Sequence, residues 1–175
     1  MEAYKIVLIV LGVIAFIYLL LVLTDLLFVT FFSRTLKKHA KAVAVMLQTK
    51  FDNIHKLLDL LNKYSISIDY KYVEMLNAIN PTCFTKVDTP ECSTARSSLS
   101  FLRDQLLYLV NKDEILPKHS EIKAAIEAIT EMDNNYHILI ATYNADVIGY
   151  NYWIHFLPTR YIFKLAKTQN KQIIA

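Results

Sequence analysis

The feature that most constrains this chain is an uninterrupted apolar run near its N-terminus, from Ile6 to Leu23. The run contains no charged residue, no side-chain amide and no proline. At about 1.5 Å of rise per residue, a helix of this length spans about 27 Å, close to the ~30 Å hydrocarbon thickness of a bilayer. We therefore expect a transmembrane helix that tethers the rest of the chain to a membrane.

Apolar character continues as far as Phe32, so the predicted anchor covers residues 1–32, with a span of about 6–27. An aspartate costs about 2.5–3.5 kcal/mol at the centre of a bilayer and less near its edge, which places Asp25 at or near the interface. The competing interpretation is a cleaved signal peptide. A retained anchor is favoured, because the run is longer than a signal core and no small-residue cleavage site follows it.

Basic residues after the run predict its orientation. No acidic residue lies between Asp25 and Asp52, whereas the few residues before the run carry one lysine and one glutamate. The positive-inside rule then gives a single-pass protein of the cell membrane, with its C-terminal domain in the cytoplasm. The same side chains could contact anionic lipid head groups. The membrane-proximal basic residues are Arg34, Lys37, Lys38 and Lys41, and Lys50 follows them.

The composition predicts an all-α fold. Beyond the apolar run the chain has a single glycine, Gly149, and only four prolines in all. Sheets need many tight turns, and tight turns often need glycine. A net charge of +3, with no basic stripe interleaved with aromatic residues, gives no support for a nucleic-acid partner.

Two long segments carry apolar residues at helical spacing. The first runs from about Thr35 to Tyr64 and can continue the anchor helix without a break. The second, about 121–157, has a heptad spacing that Asp133 interrupts. Paired with each other, they predict an elongated antiparallel bundle of three or four helices. The heptad positions are Tyr136, Ile140, Tyr143, Val147, Tyr150, Ile154 and Leu157.

Shorter segments lie between the two long helices. A short helix is expected to end at Asn80-Pro81, with Ser67 or Asp69 as its N-cap. Residues 80–95 are rich in proline, threonine, serine and aspartate, which favours a loop.

A further helix is expected from about Ser97 to Asn111, followed by a turn and by Ser120 as a candidate N-cap. With these elements the predicted bundle covers residues 33–158. Residues 159–175 are expected to form a basic C-terminal tail.

Cys83 and Cys92 are the only cysteines, and both fall in the expected loop. They could close a small disulfide in an oxidising compartment, whereas two free thiols are expected in the cytoplasm. Their spacing is poor support for a metal or redox site.

Residues 143–158 read Y-N-A-D-V-I-G-Y-N-Y-W-I-H-F-L-P. This segment resembles the signature of the LemA family, Y-N-x-x-V-x-x-Y-N-x-x-I-x-x-F-P, with Leu157 in place of phenylalanine. Residues 47–58 are similar to the family segment L-K-R-R-x-D-L-I-P-N-L-V, with His55 in place of proline. The resemblance implies a divergent member with one N-terminal span and a helical domain, and it implies no enzymatic activity. The signature positions matched are Tyr143, Asn144, Val147, Tyr150, Asn151, Ile154 and Pro158.

The paired Tyr–Asn units have a physical interpretation of their own. Tyr143 and Tyr150 lie seven residues apart on one stripe, with Asn144 and Asn151 at its edge. Such residues can fix the register of packed helices through polar contacts. Alternatively, they line a groove for a ligand or a partner.

No catalytic or cofactor motif is recognisable. The histidines lack metal-ligand spacing, and the glycines are too few for a phosphate-binding loop. We therefore expect a non-catalytic membrane-anchored scaffold that binds other membrane or cytoplasmic proteins and can form homo-oligomers. The alternative is a membrane-tethered sensor that binds a small ligand between the bundle helices.

Overall fold

The structure, a computed structural model, describes residues 2–64, 66, 68–113, 115–156 and 159–174. Within those ranges every regular element is helical and no strand occurs, which confirms the all-α prediction. Short 3₁₀ turns at Pro81–Thr85 and Leu116–Lys118 connect the longer helices. The α-helices are α1 (Glu2–Lys63), α2 (Tyr70–Asn77), α3 (Pro90–Lys112), α4 (Ser120–His155) and α5 (Arg160–Leu165).

The anchor and the first long segment form one helix, α1. No proline or glycine interrupts the chain between Val13 and Asn80, so nothing in this part of the sequence breaks the backbone hydrogen bonding. The helix that we expected from about Thr35 is therefore the second half of a longer one.

The expectation of a loop over residues 80–95 is wrong at its C-terminal end. Thr89 is the N-cap of α3, because its side chain accepts a hydrogen bond from the backbone N–H of Cys92. Pro90 follows in the first helical turn, where a missing N–H costs nothing. The helix thus begins seven residues before Ser97.

The N-cap of α2 and the C-terminal tail were also predicted from the sequence. Asp69 caps α2 by accepting a hydrogen bond from the backbone N–H of Lys71 at 3.0 Å, as expected, whereas Ser67 lies outside the described residues. The tail contains α5, which sequence patterning did not indicate. Leu157 and Pro158 also lie outside the described residues.

The chain divides into two compact units that are not consecutive in sequence. The first unit contains residues 1–37 and 144–173, and the second contains residues 38–143 and 174–175. α1 and α4 each contribute to both units.

The core of the second unit is built mainly from leucine, isoleucine and valine. Burying one such side chain stabilises a fold by about 1.5–3 kcal/mol. Lys50 is buried on the same stripe of α1 as these apolar residues. The core residues of α1, α3 and α4 include Val43, Leu47, Ile54, Leu57, Leu61, Leu99, Leu102, Leu106, Val110, Ile122 and Ile129.

In the first unit, α1 packs against the C-terminal end of α4 through aromatic rings. Phe28 stacks on Trp153 with ring centroids 4.4 Å apart and planes 6° apart. Phe32 lies over Gly149, where a Cβ atom would come within 2.6 Å of the Phe32 ring. Glycine is needed there because the aromatic ring occupies the space of a side chain.

Five of the seven heptad positions of α4 are buried, Ile140 is half-buried, and Leu157 lies outside the described residues. Tyr136 and Tyr143 are buried in the second unit. Val147, Tyr150 and Ile154 are buried in the first.

Replacing Gly149 by valine is expected to push the Phe32 ring away from α4. Overpacking of this kind costs about 1–3 kcal/mol, so the midpoint of thermal unfolding in detergent should fall. Gly12→Val is the matched control, because nothing lies within 4 Å of that position. Equal midpoints for the two variants would contradict the packing described.

Candidate interaction surfaces

The N-terminal part of α1 presents an apolar surface that no other described residue covers. Every side chain from Ala3 to Leu21 is exposed. Among the described residues, α1 is the one helix long and apolar enough to cross a membrane. Exposed apolar surface of this extent indicates contact with a membrane or a partner.

Asp25 is the first buried residue of α1. Its carboxylate Oδ2 accepts a hydrogen bond of 2.8 Å from the hydroxyl of Thr159, and the two residues are 1% and 0% exposed. The pairing satisfies a polar group that would otherwise be costly to bury. Sequence analysis placed Asp25 at the bilayer edge but did not foresee Thr159 as its partner.

Of the paired Tyr–Asn units, Asn151 has the clearest role in the structure. Its side-chain amide donates to the backbone carbonyl of Lys171 and accepts from the Lys171 N–H, each at 2.9 Å. One turn further along α4, His155 lies 2.7 Å from the side-chain oxygen of Asn170. Both residues therefore hold the C-terminal tail against α4 within the first unit.

The other three residues of the paired Tyr–Asn units are Tyr143, Tyr150 and Asn144. Tyr143 is buried in the second unit, and Tyr150 is buried in the first. Burial raises the pKa of both phenols, so both hydroxyls stay protonated at neutral pH. Asn144 is half-buried in the first unit.

A groove of 660 Å³ opens beside the tail at the C-terminal end of α4. We call it the α4-end groove. Ile148 and Tyr152 are exposed along it, so its walls are largely apolar. Asn151 lines this groove, but Tyr143, Asn144 and Tyr150 do not. The lining residues are Ile148, Asn151, Tyr152, His155 and Phe156.

The membrane-proximal basic residues Arg34, Lys37, Lys38 and Lys41 are all exposed on α1. Lys50 is different, because its side chain is buried in an ion-pair network. Lys50 is therefore not available to contact lipid head groups, unlike the four exposed basic residues before it.

That network joins α1, α3 and α4 in the second unit. Lys50 Nζ donates to Asp133 Oδ1 at 2.8 Å and to the hydroxyl of Ser100 at 3.3 Å. Arg103 donates to the other carboxylate oxygen of Asp133. Burial disfavours ionisation of Asp133, but the hydrogen bonds from Lys50 and Arg103 outweigh it and lower its pKa below the ordinary value. The charge that interrupts the α4 heptad thus has its partners on two facing helices.

Cys83 and Cys92 are both free and buried. Cys83 lies in the 3₁₀ turn and Cys92 in the first turns of α3, rather than in a loop. Burial raises the pKa of Cys92 to about 11, so its thiol is protonated and unreactive at neutral pH.

Within the described ranges, no group of three or more histidine, cysteine, aspartate or glutamate side chains is placed to hold a metal ion. Comparison of the chain with protein-family models, curated proteins and solved structures gave no match.

Replacing Asp133 by a neutral residue is expected to lower the free energy of unfolding and to make that free energy less dependent on pH. The pKa of Asp133 is lower in the folded state than in the unfolded state. Its contribution to the stability of the fold is therefore present above the unfolded pKa of about 3.9 and is lost as pH falls through the folded pKa. Asp133→Asn leaves the Lys50 charge buried without its partner, at a cost of about 3–5 kcal/mol near pH 7.

Denaturant unfolding at pH 7 and pH 3 checks this expectation. The loss of stability on acidification should be smaller in Asp133→Asn than in the unmodified protein. Asp59, which is exposed and pairs with His55 one helical turn away, provides the control variant Asp59→Asn, expected to cost less than about 1 kcal/mol at pH 7. An Asp133→Asn variant as stable as the unmodified protein at pH 7 would show that the network contributes nothing.

Proposed function

We propose that this protein is a non-catalytic, single-pass membrane protein whose helical domain binds other proteins at the cytoplasmic face of the cell membrane. The observation that carries the proposal is the exposed apolar stretch Ile6–Leu21, which is followed by the part of α1 that packs against α4 and Thr159. A bilayer is the partner that matches the length and the uniform apolarity of this stretch.

The contacts after the apolar run support a retained anchor over a cleaved signal peptide. Cleavage after Phe32 would remove Asp25, Phe28 and Phe32 from the chain. The Thr159 hydroxyl and the Trp153 ring would lose their partners, and Gly149 would face an empty space. A segment that contributes so much to its unit is expected to remain in the mature protein.

The orientation and the bundle are part of the same proposal. The exposed basic residues after the run support a cytoplasmic domain by the positive-inside rule. In the second unit, ion pairs join Lys50 to Asp133 and Lys63 to Glu121. The later residue of α1 thus contacts the earlier residue of α4. This order supports an antiparallel bundle.

A role in protein binding is supported by the surface of the first unit. The α4-end groove exposes the side chains of Ile148 and Tyr152, and polar groups of Asn151 and His155 lie beside them. Apolar and aromatic groups rimmed by polar ones are typical of interfaces. The partners proposed are other membrane or cytoplasmic proteins, a second copy of the chain included. The resemblance to the LemA family and the lack of catalytic motifs are compatible with this role.

The second candidate is a sensor that binds a small ligand. The α4-end groove is large enough for one, and Asn151 lines it. However, Tyr143, Asn144 and Tyr150 do not line that groove, so protein binding remains the preferred proposal.

Site-specific photo-crosslinking in native membranes tests the preferred function. A photoreactive residue in place of Ile148 should give discrete protein adducts, and an adduct of twice the monomer mass would identify self-association. Ile115 is the matched control, because it is a similarly exposed isoleucine of the second unit that does not line the groove. No adduct at position 148 above the level at position 115 would contradict the proposal, and a ligand-dependent shift in thermal unfolding would then favour the sensor.

A further inference from the structure

The short helix α5 has an apolar face that no other described residue covers. Phe163 points inward and is buried, whereas Tyr161, Ile162 and Leu165 are 69%, 44% and 85% exposed. At about 100° per residue, these three side chains share one side of the helix. Arg160 and Lys164 are exposed along its edge. Such an apolar face with a basic edge is typical of a helix that lies at a membrane surface.

The position of α5 in the first unit relates this face to the apolar part of α1. Going along α1 toward its N-terminus, Phe32 meets Gly149, Phe28 meets Trp153, and Asp25 meets Thr159. Thr159 immediately precedes α5, and Asp25 is the first buried residue after the uncovered stretch. α5 therefore begins at the level where α1 leaves its protein contacts.

From this juxtaposition we propose that α5 lies in the interfacial layer of the bilayer that α1 spans. Tyr161, Ile162 and Leu165 enter the boundary between head groups and acyl chains. Arg160 and Lys164 extend to the lipid phosphates, since long basic side chains keep their charge in the polar layer. The inference rests on the membrane anchor proposed above and adds a second point of lipid contact at the other end of the chain.

Charge favours lipid over a second copy of the chain as the occupant of this face. No acidic residue occurs after Asp146, whereas Arg160, Lys164, Lys167 and Lys171 are all basic. Two α5 helices that met face to face would bring like charges together. Anionic head groups instead attract basic residues, at about 1 kcal/mol for each one near the surface.

Tryptophan fluorescence of the full chain in lipid vesicles tests the proposal. Trp153 is the single tryptophan, and Trp153→Phe keeps an aromatic ring on Phe28. In this background a reporter is introduced at one exposed position at a time, by Leu165→Trp or Tyr161→Trp. The vesicles contain phosphatidylcholine and phosphatidylglycerol, with bromine near the head group or near the end of the acyl chain. Both reporters should lose most of their emission to bromine near the head group and little to bromine at the chain end.

Two further variants separate this inference from the proposed anchor. Phe16→Trp, in the middle part of the apolar run, should be quenched most strongly by bromine at the chain end. Tyr70→Trp, exposed in the second unit, should be quenched by neither lipid. Quenching of the position-16 reporter but not of the α5 reporters would overturn the inference and leave the anchor in place. No quenching at position 16 would overturn the anchor itself.

Discussion

The segment of α1 from Asp25 to Phe32 is the part on which the first unit depends. Before it, the side chains from Ile6 to Leu21 are all apolar and exposed. Within it, one face is packed against the end of α4 and against Thr159. The hydrogen bond from Thr159 satisfies the side chain of Asp25, because a buried polar group without a partner costs about 1–3 kcal/mol. These contacts make the apolar helix an integral part of the folded chain.

Much of the helical content was predictable, because it depends on local spacing. The heptad of α4 marked five residues that are buried, and the lack of glycine and proline allowed α1 to run without a break. The start of α3 was missed because its Thr89-Pro90-Glu91 sequence resembles a loop by composition, although it is also an N-cap followed by a favourable first turn. α5 was missed because a helix of six residues depends on contacts such as the burial of Phe163 rather than on periodicity.

The polar contacts were less predictable, because their partners are distant in sequence. Asp25 and Thr159 are 134 residues apart, and Lys50 and Asp133 are 83 apart. One signal was nevertheless present in the sequence. Lys50 lies on the apolar stripe of α1 and Asp133 interrupts the heptad of α4, and a charge at a core position needs an opposite charge nearby. Asn151 was among the residues that the sequence analysis named, but nothing local indicated that it binds the backbone of Lys171.

The central claim is that the apolar helix stays attached to the domain and holds it in a membrane. It is tested most directly by measuring the intact mass of the protein recovered from native membranes after an alkaline carbonate wash. The account predicts that the protein remains in the washed membranes and that its mass is not reduced by the loss of residues 1–32. Recovery in the wash of a shorter protein that begins beyond Phe32 would contradict it.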